Sequence, residues 1–400
     1  MTLRPSAADS VYRQLQRHLD RQPIGFPPSV KGADIRLLKH VFTPEEARIA
    51  VHLSHELRSL EEILDGAGHL VASLDELEDH LNAMVKKGGL EYKQENGQDF
   101  YANAPLVVGI YELQAGRLTR EFIDDFSAYT TEKRYGISFL STKRPQMRTI
   151  PINKSITPDQ SVADYDDIVT LIQAAEPPFV ILPCICRKKK AMLGKPCEQT
   201  DREETCMAMG TVAQTLVKME LGREISREEA LEIIEMNEDE GLVLQPANAR
   251  KIEFLCSCCG CCCSMLSLHR DLPKPLDFWE SGYTAVLNGE GCVGCGLCHD
   301  ACGADALTLA REIAKDRKHP APVINPLRCI GCGQCVARCK TGALTLERRD
   351  AQPIPPEDRE ALNAQLLAHK QQPLAQLRTA GTLAKGMIQT GDFRLVMPKS

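Results

Sequence analysis

The sequence predicts a multidomain α+β protein, and three observations carry that expectation. The chain has 400 residues, enough for several domains. Its first third alternates capped amphipathic helices with a hairpin signal. Its 18 cysteines begin at Cys184 and end at Cys339, and the last eight repeat one spacing. The chain divides accordingly. An N-terminal helical extension (1–39) precedes a helix-and-hairpin domain (40–103) and a helical and extended connector (104–176). A cysteine-rich α/β module (177–281), a cysteine repeat domain (282–349) and a C-terminal helical tail (350–400) follow.

Composition is that of a folded chain: 43% hydrophobic and 26% charged, with net charge −6. That balance gives no global pull toward nucleic acid or anionic lipid. The opening residues carry no apolar signal core. "PLVVGIYEL" and "PPFVILPCIC" fall far short of the ~20 residues a membrane span needs. The expected location is therefore cytoplasmic, without membrane insertion. In a reducing compartment so many thiols point to metal ligation rather than disulfides. Exposed metal–sulfur groups also fit anaerobic metabolism.

In the N-terminal third, Thr43 opens a helical stretch with Pro44 first and Glu45 and Glu46 after it, running to Gly68. Ser73 caps a second helix with Glu76 three residues on. "LEYKQENGQDFYAN" turns at Asn96–Gly97 as a hairpin. Helices followed by a hairpin read as a winged-helix-like domain, which raises the alternative of a redox-sensing transcriptional regulator. The charges argue against nucleic acid. The helix that would enter the groove starts with Asp75, Glu76, Glu78 and Asp79, and Lys86 and Lys87 come only at its end. Partner docking or packing on the metal core is the other use of such a domain. In the connector, "TREFIDDFSAYTTEKRYG" reads as a helix and "STKRPQMRTIPINKS" as an extended basic crossing between domains. No glycine-rich phosphate loop occurs, and His52, His55, His69 and His80 fall at no ligand spacing. Catalytic residues cannot be named from the sequence.

The central module holds ten cysteines: Cys184, Cys186, Cys197 and Cys206, then Cys256, Cys258, Cys259, Cys261, Cys262 and Cys263. "PPFVILPCIC" reads as a buried strand ending at Cys184. Ser226 caps a helix that Gly241 ends, and "ARKIEFLCSC" reads as a second strand with Ile252, Phe254 and Cys256 on one side. Two strand ends thus bring the cysteine groups together. Ten thiolates could hold two [4Fe–4S] clusters, or one with spare thiols; zinc is the competing occupant. Three consecutive cysteines cannot all ligate one metal, because neighbouring side chains diverge. The cations from Arg187 to Lys190 would raise a cluster potential or dock an acidic partner, and Met207 and Met209 would pack around the metal site.

From 292 the sequence reads "CVGCGLCHDAC", and from 329 "CIGCGQCVARC", each C-x2-C-x2-C-x3-C. Two C-x2-C pairs could make a zinc site, but a third cysteine at x2 and a fourth at x3, twice over, favour iron–sulfur cubes. Gly294, Gly296, Gly331 and Gly333 let backbone amides approach the sulfurs. Residues 283–348 resemble the bacterial 2[4Fe–4S] ferredoxin domain, a (βαβ)2 fold whose apolar flanks are "YTAVLNGEG", "ALTLA", "PVINPLRC" and "ALTLERR". The resemblance implies that Cys292, Cys295, Cys298 and Cys339 hold one cluster, and that Cys329, Cys332, Cys335 and Cys302 hold the other. The chain departs from the family where Gly303 and Lys340 stand in place of the usual proline. The segment "REIAKDRKHPAP" between the halves reads as a solvated basic insertion.

The 178–265 region looks like the central module of multicluster iron–sulfur proteins of anaerobes, where "PCICR" and "CCGCCC" strings occur together. "CCG" is also found in heterodisulfide reductase-like proteins, although their wider spacing is not reproduced. The expected function is single-electron relay through two ferredoxin-type clusters and one or two more in the centre, between redox protein partners. The alternatives are an iron–sulfur oxidoreductase with a reducing site at the central cysteines, and the regulator. In the tail, Leu362, Leu366 and Leu367 form an apolar stripe on a helix broken at Pro373.

Overall fold

The structure is a computed structural model that describes residues 7–156, 162–310, 320–372 and 374–397. In the N-terminal third the chain runs in short helices: α1 (Ala7–Asp20), α2 (Ala33–Val41) and α3 (Pro44–Ala50). Thr43 and Glu46 form a capping box on α3. The helical stretch expected to run on to Gly68 is interrupted. Ser59 and Glu62 make a second capping box, so a new helix α4 (Leu60–Ala67) starts there. The residues before it become a short strand β1 (Arg58–Ser59). Helix α5 (Leu74–Lys86) leads into the hairpin β2 (Leu90–Glu95) and β3 (Gln98–Asn103). Asn96 and Gly97 both take left-handed conformations at its turn. β1 completes an antiparallel sheet of order β1-β3-β2.

The connector helix also divides, into α6 (Arg120–Thr130) and α7 (Lys133–Leu140). Between them the Glu132 carboxylate accepts from Ser29 Oγ at 2.6 Å and the Val30 amide at 3.0 Å, which bends the chain there. The basic stretch after α7 is tied into the body by a buried arginine. Arg148 is 2% exposed and donates to the carbonyls of Ala247, Ala249 and Tyr165, with Asp166 beside it.

Helix α8 (Ile168–Ala174) precedes a five-stranded antiparallel sheet of order β6-β4-β5-β8-β7. Its strands are β4 (Phe179–Pro183), β5 (Glu204–Met209), β6 (Arg223–Ile225), β7 (Val243–Pro246) and β8 (Phe254–Cys258). The two-residue period of a strand separates two cores. One face buries Val180, Leu182, Cys184, Cys206 and Phe254 in a core shared with the N-terminal helices. The other buries Ile181, Met207, Met209 and Leu255 with Ile172 of α8 and Ile233 of helix α11 (Arg227–Asp239). Met207 and Met209 therefore pack away from Cys206, not around the thiols. Ile252 joins them, outside the strand and on the opposite face from Phe254, because β8 begins only at Phe254. Helices α9 (Ile185–Met192) and α10 (Gly210–Met219) follow β4 and β5. Hairpin strand β2 seats on α10, where the Tyr92 amide donates to Thr215 Oγ1 at 2.9 Å.

After α12 (Ser264–Asp271), two strand pairs enclose the cysteine repeats. β9 (Tyr283–Leu287) pairs with β12 (Leu344–Arg348), and β10 (Leu307–Ala310) pairs with β11 (Ala321–Ile324), both antiparallel. One-turn helices α13 (Leu297–Asp300) and α14 (Gln334–Ala337) follow the two C-x2-C-x2 runs. Most of the expected basic insertion lies outside the described residues, and its last residues open β11. Helices α15 (Arg359–Lys370) and α16 (Ala375–Thr390) return to the body; Pro373 lies outside the described residues. Leu362 and Leu366 are buried, and Arg359 reaches Glu91 of β2 at 2.6 Å. Among the described residues, no helix is long and apolar enough to cross a membrane.

Candidate metal centres

Each repeat keeps its first three cysteines together and sends its fourth to the other repeat. Cys302, from the first run, lines one apolar cavity with Cys329, Cys332 and Cys335 of the second, walled by Ala285, Leu307, Ile324 and Leu346. Cys339, from the second run, is an electrostatic neighbour of Cys298, as Cys295 is, and it packs with Cys292 around Ala321 and Ala343. Backbone amides point at the sulfurs: Gly294 to Cys292, Ala285 to Cys329 and Ala306 to Cys302, each at 3.4 Å. Burial pushes the Cys332 thiol up to about 12. Binding a cationic iron core reverses that penalty, because the ligand is the thiolate. An apolar cradle with converging thiols and amide donors fits an iron–sulfur cube.

The ten central cysteines separate into two groups. Six form a closed ring in which each thiol meets two others. Cys184 meets Cys186 and Cys206; Cys206 meets Cys256; Cys256 meets Cys258; Cys258 meets Cys263; and Cys263 meets Cys186. The ring is assembled from the turn between β4 and α9, the first turn of α9, strands β5 and β8, and the cap of α12. The other four, Cys197, Cys259, Cys261 and Cys262, converge beside it, their sulfurs all within 4.8 Å of one another. Of the three consecutive cysteines, Cys261 and Cys262 go to the four-sulfur group and Cys263 to the ring.

Arg187 stands between the two groups. It is 4% exposed and bonded to Thr205 Oγ1 and the Ser257 carbonyl, and its guanidinium is drawn to Cys184, Cys259 and Cys206. Lys189 reaches Ser264 Oγ at 2.9 Å, close enough to Cys186 to favour its thiolate. The basic run thus contributes Arg187 and Lys189 to the thiol groups themselves.

Two residues at the ring escaped the sequence reading. Tyr111 is buried and its hydroxyl approaches Cys186. The Glu112 carboxylate is held protonated by burial, up to about 8, with Cys186 and Cys206 adding to the effect, while it accepts from the Gly109 amide at 2.9 Å. Both lie in "PLVVGIYEL", next to Val108, a β-branched residue at φ 52. A carboxylate inside a short apolar run was the available signal.

The ring and the repeat domain are in contact. Cys258 and Cys263 share one packed cluster with Cys298, Cys329 and Cys335. Gly260, within the cysteine run, abuts Gly303, the residue after Cys302. A Cβ on Gly260 would lie 3.0 Å from Gly303 Cα, and Arg270 Nη1 donates to the Gly260 carbonyl at 2.7 Å. The glycine that replaces the usual proline allows this approach.

Thiol quartets of this geometry define an iron–sulfur protein that carries [4Fe–4S] clusters. Residues 291–343 match the family described as the 4Fe-4S dicluster domain. No curated protein and no solved structure matches the chain.

Proposed function

We propose that the chain relays single electrons through two ferredoxin-type [4Fe–4S] clusters to a further iron–sulfur centre on the six-thiol ring. Cys292, Cys295, Cys298 and Cys339 hold the first cluster. Cys302, Cys329, Cys332 and Cys335 hold the second, in a ferredoxin-like (βαβ)2 arrangement. The observation that carries the reading is the backbone contact of Gly260 with Gly303. It brings the central cysteine run against the residue that follows Cys302 without an intervening side chain.

Electrons enter at the first cluster. Cys295 is exposed and flanked by Val293 at 54% and Leu297 at 41% exposure, an apolar rim suited to a redox protein partner. The winged-helix-like domain serves as packing for the metal core. Its hairpin is engaged by α10, and α5 keeps its acidic first turn. Nucleic acid is not among the partners. The test is rapid reduction of the anaerobic protein, read by EPR at each centre. In Cys302→Ser the first cluster should still reduce at its normal rate while the central centre lags at least tenfold. Equal central rates in both proteins would remove the relay.

A second reading, an iron–sulfur oxidoreductase working at the ring, draws on Val108, Tyr111 and Glu112. Backbone strain in a β-branched residue and a protonated carboxylic acid beside thiols are features of reaction sites. A cavity lined by Glu91, Gly109, Glu112, Val212 and Phe254 adjoins them. Electron uptake without consumption of any added small disulfide or other acceptor would favour the pure relay.

A further inference from the structure

The four-sulfur group differs from the other thiol sites in size. Cys197 Sγ lies 3.6 Å from Cys259 Sγ and 3.7 Å from Cys261 Sγ. Cys261 Sγ lies 3.5 Å from Cys259 Sγ and 3.7 Å from Cys262 Sγ. One metal ion with four thiolates at about 2.3 Å sets their sulfurs about 3.8 Å apart at the corners of a tetrahedron. A cube interposes four irons and spreads its outer thiolates to about 6 Å. The spread of at most 4.8 Å is therefore of single-ion size. Among the described residues, neither repeat quartet is gathered this tightly.

We infer that Cys197, Cys259, Cys261 and Cys262 form a mononuclear tetrathiolate site for one thiophilic divalent ion, zinc or ferrous iron, separate from every cluster. The chemistry of the donors selects this class, since four soft sulfurs in a tetrahedron take zinc or iron rather than a hard cation. The surroundings supply charge balance. A divalent ion with four thiolates carries two negative charges, and the buried Arg187 guanidinium lies against Cys197 and Cys259. The loop bearing Cys197 is fixed from outside: Gln199 Nε2 donates to the Glu240 carbonyl at 2.6 Å, and Arg202 grips Asn237 and Glu240 of the α11 end. With all four positions filled by protein, no corner is open to substrate, so the ion is a clasp. It ties the 193–203 loop to the cysteine run whose neighbours Cys258 and Cys263 belong to the ring. The inference does not rest on the relay.

The test is metal analysis of the full chain purified without oxygen, beside Cys197→Ser and Cys261→Ser. Each variant should lose one zinc or one iron per chain and no acid-labile sulfide, with the EPR signals of the repeat clusters retained. Loss of about four irons with four sulfides would make the group a cube ligand set and overturn the inference. Unchanged metal content would overturn it as well. Should the variants fail to fold, the unsubstituted chain decides. Zinc K-edge absorption with four sulfurs at about 2.3 Å, or a Mössbauer component of isolated high-spin ferrous tetrathiolate, supports the site; absence of both removes it. Loss of the repeat EPR signals with the clasp ion still present would strike the relay alone.

Discussion

Replacing Gly331 by alanine is expected to unseat the second cluster, and Gly342→Ala provides the matched control. Both glycines are left-handed, at φ +61 and φ +68. Alanine in that conformation costs about 1–2 kcal/mol. The two sites differ in space. A Cβ on Gly342 meets nothing within 4 Å, whereas one on Gly331 would lie 2.4 Å from the Tyr283 carbonyl oxygen. That oxygen cannot step aside easily, because Tyr283 is in β9, registered against Arg348, and the carbonyl accepts from Arg349 Nε at 2.9 Å. Relieving the overlap means moving either strand or cysteine loop, an overpacking cost of about 1–3 kcal/mol. Gly331→Ala should therefore lose about 2–5 kcal/mol and Gly342→Ala about 1–2 kcal/mol. Anaerobic denaturant titration, followed by the visible sulfur-to-iron absorption, measures both. If the two variants are destabilised equally, to within about 0.5 kcal/mol, the steric reasoning is wrong.

Other outcomes follow from the same geometry. Glu112 titrates near 4.5 when unfolded and at about 8 in the fold, so its contribution is complete below the lower value and drains away as pH rises toward the upper one. Stability should fall by up to about 1.4 kcal/mol per pH unit across that window, and Glu112→Gln should flatten the slope in thermal melts taken between the two values. Arg359→Met leaves the buried Glu91 carboxylate without the 2.6 Å partner and Glu253 without its 3.0 Å ion pair. A loss of about 3–5 kcal/mol is expected by denaturant titration. Gly260→Ala places a Cβ 3.0 Å from Gly303 Cα and 3.1 Å from Arg270 Nη1. It should cost about 1–3 kcal/mol and slow electron arrival at the ring in rapid-freeze EPR; an unchanged rate would show that the contact is not on the path.

Local signals carried much of the fold. Ser73, Ser226 and the Asn96–Gly97 turn act through their own neighbours, so helix starts and the hairpin could be read directly. The break at Ser59 was hidden because Arg58 and Ser59 are drawn into strand by Tyr101 and Phe100, more than forty residues away. Arg148 stands in a basic stretch that carries no local sign of burial, and only the carbonyls of distant loops explain it. At the metal sites, spacing within each run revealed the cysteines of the repeats. The partition of the central ten could not be read, since Cys197 and Cys259 meet only after β5, α10, α11 and β8 have folded between them. Tyr111 and Glu112 carried no ligand spacing at all.

The proximity of the four clasp sulfurs has a cost for biosynthesis. Cys197 and Cys259 stand 3.6 Å apart, and a covalent sulfur–sulfur bond closes at about 2.05 Å. A newly made chain that meets dioxygen before its ion needs only small side-chain rotations to crosslink these loops, giving up two electrons and two protons to the oxidant. The bridge would then bar the very atom that belongs there. Delivery of metal must therefore outrun oxidation, and an aerobically isolated chain should yield a Cys197-containing crosslinked peptide where an anaerobic one yields free thiols on demetallation.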